Sequence, residues 1–233
     1  MKTLIKNITS LLLLLSAGSL SAQSFYRYQT AQETILSIGV GPSFAYLDNG
    51  GRYSSFEFEI KPSFSLALTK RLTPTFDIRS TVGYQKISSG GSPNSYVQDH
   101  WTRESSSFTA TGPVYCFDVM PSMNIFSFAN HTNRSMVNVY GGFGIGVLHA
   151  KTSQTKSFDI NEDPTTHTIT TGYIPLRAGL SYKLGPYSDI AGEGTILWTF
   201  TDNLDGNVGY NRYGDHLFQA QIVYRRYILL RNR

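Results

Sequence analysis

Phe56-Glu57-Phe58-Glu59-Ile60-Lys61-Pro62-Ser63-Phe64-Ser65-Leu66-Ala67-Leu68 is the stretch that decides the fold. Its even positions are Phe, Ile, Leu and one Pro, and its odd positions are charged, hydroxyl-bearing or alanine. A period of two places the two sets on opposite faces of a β-strand. The run is 13 residues long, which at ~3.3 Å per residue spans about 40 Å, well beyond the usual strand of five or six residues. Inclined by about 45°, such a strand crosses the ~30 Å hydrocarbon layer of a membrane.

The same alternation recurs on either side, giving eight segments in all. Leu36, Ile38, Val40 and Phe44 oppose Ser37, Gly39, Gly41 and Ser43 in the first segment, over about 34–46. In the third, Phe76, Ile78, Val82 and Tyr84 oppose Asp77, Arg79, Thr81 and Gln85. Tyr115, Phe117 and Val119 oppose Cys116 and Asp118 in the fourth. The fifth runs unbroken from Val137 to Val147 and is rich in glycine on its polar face. Ile174, Leu176, Leu180 and Tyr182 oppose Arg177, Gly179 and Lys183 in the sixth. The seventh sets Ile190, Ile196, Trp198 and Phe200 against Glu193 and Thr195, and the eighth sets Phe218, Ile222 and Tyr224 against Gln219, Gln221 and Arg225. Connections alternate as well: tight at 69–74 and 184–187, intermediate at 127–135, and long at 47–55, 88–107, 151–166 and 201–214. An even number of strands with short turns at one end and long loops at the other describes an all-β, eight-stranded antiparallel up-and-down transmembrane barrel, short turns periplasmic and long loops outside.

A soluble lipocalin-like barrel shares the alternation but turns its apolar face inward around a ligand. Charges of both signs on the polar face and aromatics near the strand ends (Phe44, Tyr84, Tyr115, Tyr182, Trp198, Tyr224) favour the membrane form, with an aromatic girdle at each interface. Eight strands enclose just enough room for side chains. Glu57, Glu59, Lys61, Asp77, Arg79, Asp118, Arg177, Glu193 and Arg225 are then expected to pair in the lumen, because an unpaired buried charge costs several kcal/mol.

Composition agrees. Charged residues are only 15% of the chain and the net charge is +4, with two of the basic residues, Lys2 and Lys6, at the extreme N-terminus, so nothing argues for nucleic acid. Lys2 and Lys6, the apolar run Leu11–Leu15 and small residues up to Ala22 have the layout of a cleaved secretory signal over 1–22, leaving 23–233 as one outer-membrane barrel domain. One cysteine, Cys116, excludes a disulfide framework. No metal-ligand spacing is present among the five histidines, and no nucleophile–base pair can be read from spacing, so no cofactor, metal or catalytic residue is assigned. Two other roles stay open: adhesion or envelope protection through the outer loops, and lipid modification at the outer rim, where His149 ends the fifth segment.

Three stretches resemble the PorG-like family of outer-membrane barrels associated with the type IX secretion system. They are Ile38-Gly39-Val40-Gly41-Pro42-Ser43-Phe44-Ala45-Tyr46-Leu47-Asp48, Tyr140-Gly141-Gly142-Phe143-Gly144-Ile145-Gly146-Val147, and Ile174–Lys183 followed by Thr199-Phe200-Thr201-Asp202-Asn203-Leu204-Asp205. The resemblance implies no catalytic residue. It implies partners besides membrane lipid: a periplasmic ring built from a lipoprotein and a soluble subunit. Such a ring is reached only from the short-turn end, where Lys70, Arg71, Phe126, Phe128 and Arg134 supply the aromatic and basic groups enriched at interfaces.

Overall fold

The alternating segments become strands, and the strands close into a ring. The computed structural model describes residues 33–48, 59–89, 99, 102–103, 109–155, 163–208 and 214–228. The strands are β1 (Thr34–Tyr46), β2 (Lys61–Arg71), β3 (Phe76–Ser89), β4 (Thr109–Asn124), β5 (Val137–Phe143), β6 (Ile145–Thr155), β7 (Thr165–Gly185), β8 (Ser188–Thr199) and β9 (His216–Ile228). All pairings are antiparallel between ring neighbours, and β9 returns to β1 through the register Thr34 with Ile228 to Tyr46 with His216. β5 and β6 both lie between β4 and β7, so the ring has eight places.

The expected unbroken fifth strand is therefore corrected to two pieces that part at Gly144. A Cβ on Gly144 would fall inside contact distance of the Val119 carbonyl oxygen, and one on Gly142 would strike that of Pro121. Glycine here lets this strand press against the β4 backbone, which a side chain would forbid.

The loop expected at 151–166 is strand at both of its ends: β6 runs to Thr155 and β7 begins at Thr165. Its threonines are β-branched and hold the backbone extended. This wall, β3-β4-β6-β7, rises past the opposite wall, whose β8 stops at Thr199 opposite Tyr173. At the other end the 72–75 turn is tight because the Thr73 hydroxyl accepts from the amides of Thr75 (3.3 Å) and Phe76 (2.9 Å).

Polarity is inverted relative to a water-soluble barrel. Ile38, Leu66, Val82, Leu180 and Ile222 each expose half or more of their surface, while Ser63 and Gln85 are fully buried. The two-face assignment made from alternation holds on every described strand, and the apolar face is the outer one. On β7 the outward apolar run extends from Ile174 to Leu184, which at ~3.3 Å per residue and about 45° of tilt makes a band roughly 25 Å tall. This is the architecture of small outer-membrane barrels.

Candidate functional site

The middle of the lumen is a closed network of charges. Arg79 donates to both carboxylate oxygens of Glu193 (2.6 and 3.1 Å). Arg177 lies between Glu193 (3.2 Å) and Asp118 (3.3 Å) and also donates to the hydroxyls of Thr81 and Thr195 (3.1 Å each). Two tyrosine hydroxyls donate to the same acids, Tyr140 to Glu193 (2.8 Å) and Tyr173 to Asp118 (2.9 Å). Arg225 lies over the Tyr140 ring at 4.4 Å from its centre. Both tyrosines lie across a glycine of the neighbouring strand: an added Cβ on Gly179 or Gly146 would come within 2.5 Å of the ring of Tyr140 or Tyr173. The register that pairs Tyr140 with Gly179 and Gly146 with Tyr173 gives these rings room to lie flat against the wall.

The short-turn end is plugged. Between β4 and β5 the chain folds inward through a 3₁₀ turn, His131–Asn133, capped by the Asn130 side chain, which accepts from the Thr132 amide at 3.2 Å. Arg134 then fastens this turn to the next one. It pairs with Asp189 (2.6 Å) and donates to the carbonyls of Gly185 (2.7 Å), Pro186 (2.8 Å), Ser188 (3.0 Å) and His131. Tyr227 donates to the second Asp189 oxygen at 3.0 Å, and Arg71 lies 3.7 Å over the Phe128 ring and 3.7 Å from Asp77. His131 is fully buried, stacked on Tyr187 and Tyr227. Burial first, then Arg134, Arg71 and Lys183, holds its imidazole down to about 4.

The long-loop end is closed differently, by an apolar core inside the ring. Ile87, Val114, Leu148, Leu197 and Leu217 point inward there, and Leu204 drops from the 201–208 loop to cap them. The loop is pinned by the Leu204 amide donating to Asp215 (2.6 Å), by the Thr152 hydroxyl donating to the Leu204 carbonyl (3.4 Å) and by a His167–Asn203 contact (3.1 Å). Gly206 turns there with φ of 85°. Asp48, Asp202 and Asp215 bring carboxylate oxygens within 4.8 Å of one another, the place among the described residues where a hard cation would find oxygen donors. Burial, followed by the neighbouring Asp205, Asp48 and Asp202, pushes the Asp215 carboxyl well above the usual carboxylate range.

Of the expected lumen charges, Arg79, Asp118, Arg177 and Glu193 form one network; Arg225 packs beside it, and Asp77 lies toward the plug. Glu59 and Lys61 pair with each other at 2.8 Å near the long-loop rim, partly exposed. Glu57 lies outside the described residues, as do the proposed signal segment and most of the 47–55 and 88–107 loops. Of the residues proposed for partner contact, Lys70 and Phe126 are exposed, but Arg71, Phe128 and Arg134 are buried in the plug. That assignment is corrected: turn residues default to the surface, whereas these three face a lumen that needed filling. Asp189, Tyr140, Tyr173 and Tyr227 were missed. Asp189 and Tyr140 occupy polar-face positions of their strands, which is the signal that would have found them.

No protein-family model matches the chain, and no curated protein matches it. Among solved structures it is similar to Neisserial surface protein A (TM-score 0.47, 12% identity, 86% of this chain and 100% of that one). It is also similar to Ail, the attachment invasion locus protein of Yersinia pestis (TM-score 0.46, 14% identity, 84% and 99%). A major outer membrane protein from Thermus thermophilus gives a TM-score of 0.44 at 16% identity, covering 82% and 98%. At these scores the likeness is one of general form, and what the barrel does has to be read from its own surfaces.

Proposed function

We propose that the chain is an exported, non-enzymatic outer-membrane barrel that serves as a solid membrane anchor, and that its short-turn end docks a periplasmic assembly of the kind that PorG-like barrels hold. The observation that carries the membrane part is the exposed apolar belt over a charged, hydrogen-bonded interior. In water, that outward face would leave a continuous apolar patch far above the few hundred Å² that soluble proteins tolerate. In lipid it is the expected surface, and a closed ring satisfies its backbone groups without water.

The docking part rests on the three family-like stretches and on what the short-turn end presents. With Arg71, Phe128 and Arg134 committed to the plug, the exposed groups there include Lys70, Leu72, Ile125, Phe126 and Met136. Exposed apolar side chains beside a lysine suit a protein interface core with a polar rim. The Thr199–Asp205 block, the most distinctive of the family-like stretches, lies at the opposite end, where Leu204 caps the lumen.

The test has two stages. Fractionation and heat-modifiable migration of the expressed chain report insertion. Co-purification of periplasmic ring subunits is then compared between the parent and a Leu72→Ser/Phe126→Ser variant. Loss of co-purification with folding intact is expected; undiminished co-purification would remove this end from the role.

A further inference from the structure

On the outer face of the tall wall, side chains lie in rungs set by the strand register and inclined to the membrane plane, because the strands are tilted: the rung through Thr170 on β7 returns to that strand at Leu180 after one circuit. The lowest rung of interest is Tyr84, Tyr115, His149 and Thr170, each paired with the next across β3, β4, β6 and β7. Tyr84 and Tyr115 touch at 5.5 Å between ring centres, and Phe64 joins them from β2 at 6.2 Å. This is the aromatic edge of the apolar band.

One rung higher the chemistry changes at once. Lys86 pairs with Pro113 on β4, and Lys151 pairs with Thr168 on β7. β4 and β6 run side by side from the Val114–Ala150 pair to the Thr111–Ser153 pair, so Lys86 and Lys151 stand with one strand between them. Two strand spacings separate them by roughly 10 Å. Above them comes a rung of hydroxyls, Ser88, Thr111, Ser153 and Thr166.

Both lysines are exposed, and among the described residues neither has a carboxylate partner. Glu59 is taken by Lys61 at 2.8 Å and by the Ser88 hydroxyl. From the aromatic rung upward, the outward-facing described residues of β4, β6 and β7 include no Asp or Glu.

We infer that Lys86 and Lys151 form a binding site for the phosphates of a glycolipid headgroup in the leaflet at the long-loop end, with the hydroxyl rung above serving its sugars. The inference rests on the outer-membrane reading proposed above. Two cations with no carboxylate partner among the described residues, each one outward position above Tyr84 or His149 on its own strand, sit just past the apolar band, and acyl chains covering that band would bring a lipid's phosphates to them. The outward hydroxyls of Thr111, Ser153 and Thr166 offer a sugar both donors and acceptors.

The probe is bisphosphorylated lipid A, exchanged onto the purified full-length barrel in detergent and counted per barrel by mass spectrometry. The parent, Lys86→Ala/Lys151→Ala and Lys86→Gln/Lys151→Gln are compared, with Arg226→Ala at the opposite end as control. Loss of two near-surface cations is expected to weaken retention roughly 30-fold, with Arg226→Ala unchanged and the parent's retention falling as salt rises. Fully dephosphorylated lipid A should be held no better by the parent than by the double variants. Equal retention of bisphosphorylated lipid A by parent and folded double variants would overturn the site. So would displacement of the lipid by millimolar inorganic phosphate, which would make the site one for free anions. A parent that never becomes heat-modifiable in lipid vesicles would instead sink the membrane reading itself.

Discussion

Arg177 holds two acids at once, and its removal takes from Asp118 its paired cation while Glu193 keeps only Arg79. Arg177→Ala should lower barrel stability by ~3–5 kcal/mol, because Asp118 and Glu193 keep their burial and lose their shared cation. Urea unfolding from lipid vesicles measures it, and combining Arg177→Met with Asp118→Asn, which leaves the Arg79–Glu193 pair intact, should recover much of the loss. His131 gives a pH signature. Folded, its imidazole stays neutral down to about 4, whereas the unfolded ring titrates near 6.5. Between those values the unfolded chain binds more protons, so stability present above pH 6.5 is lost as pH falls and levels off below about 4, a change of up to ~3 kcal/mol. His131→Phe should flatten that slope in unfolding curves taken between pH 7 and pH 4. Individual pairings were not legible in the sequence. Arg79 and Glu193 are 114 residues apart and Arg134 and Asp189 are 55 apart, so only ring closure and register bring them together.

At the scale of strands and turns, the alternation carried nearly everything about which face each residue takes, because a one-residue slip would turn the whole apolar set inward. Leu66→Arg on β2, at the centre of the outward run, should cost ~2–4 kcal/mol, while Leu66→Ile stays near neutral. A barrel holding this same outward face in water would tolerate the arginine about as well as the isoleucine, which makes the comparison decisive. Two glycines make a second pair. Gly144→Ala forces a Cβ onto the β4 backbone and should abolish the heat-modifiable form, whereas Gly194→Ala meets nothing within 4 Å and should migrate like the parent. What alternation concealed is the apolar lining at the long-loop end. Leu148, Leu197 and Leu217 are inward residues next to outward Val147, Trp198 and Phe218, and such adjacent apolar pairs were the signal that both faces are apolar there.

For the whole molecule, orientation is the open quantity with a direct measurement. In a Cys116→Ser background, a cysteine at Ser153 should react with an impermeant thiol reagent on intact cells and one at Thr73 should not; the reverse pattern would invert the barrel. The ring and its eight places were legible from segment count and loop lengths. The plug was not, because nothing local marks a turn that folds inward. Its presence has a consequence for the cell. With Arg134 and its neighbours filling one mouth, salt bridges occupying the waist and Leu204 covering the other mouth, the described residues leave no path for nutrients or antibiotics to diffuse through. Abundant production of this protein should therefore leave the envelope's permeability to small hydrophilic solutes, and a planar bilayer's current, at their background values.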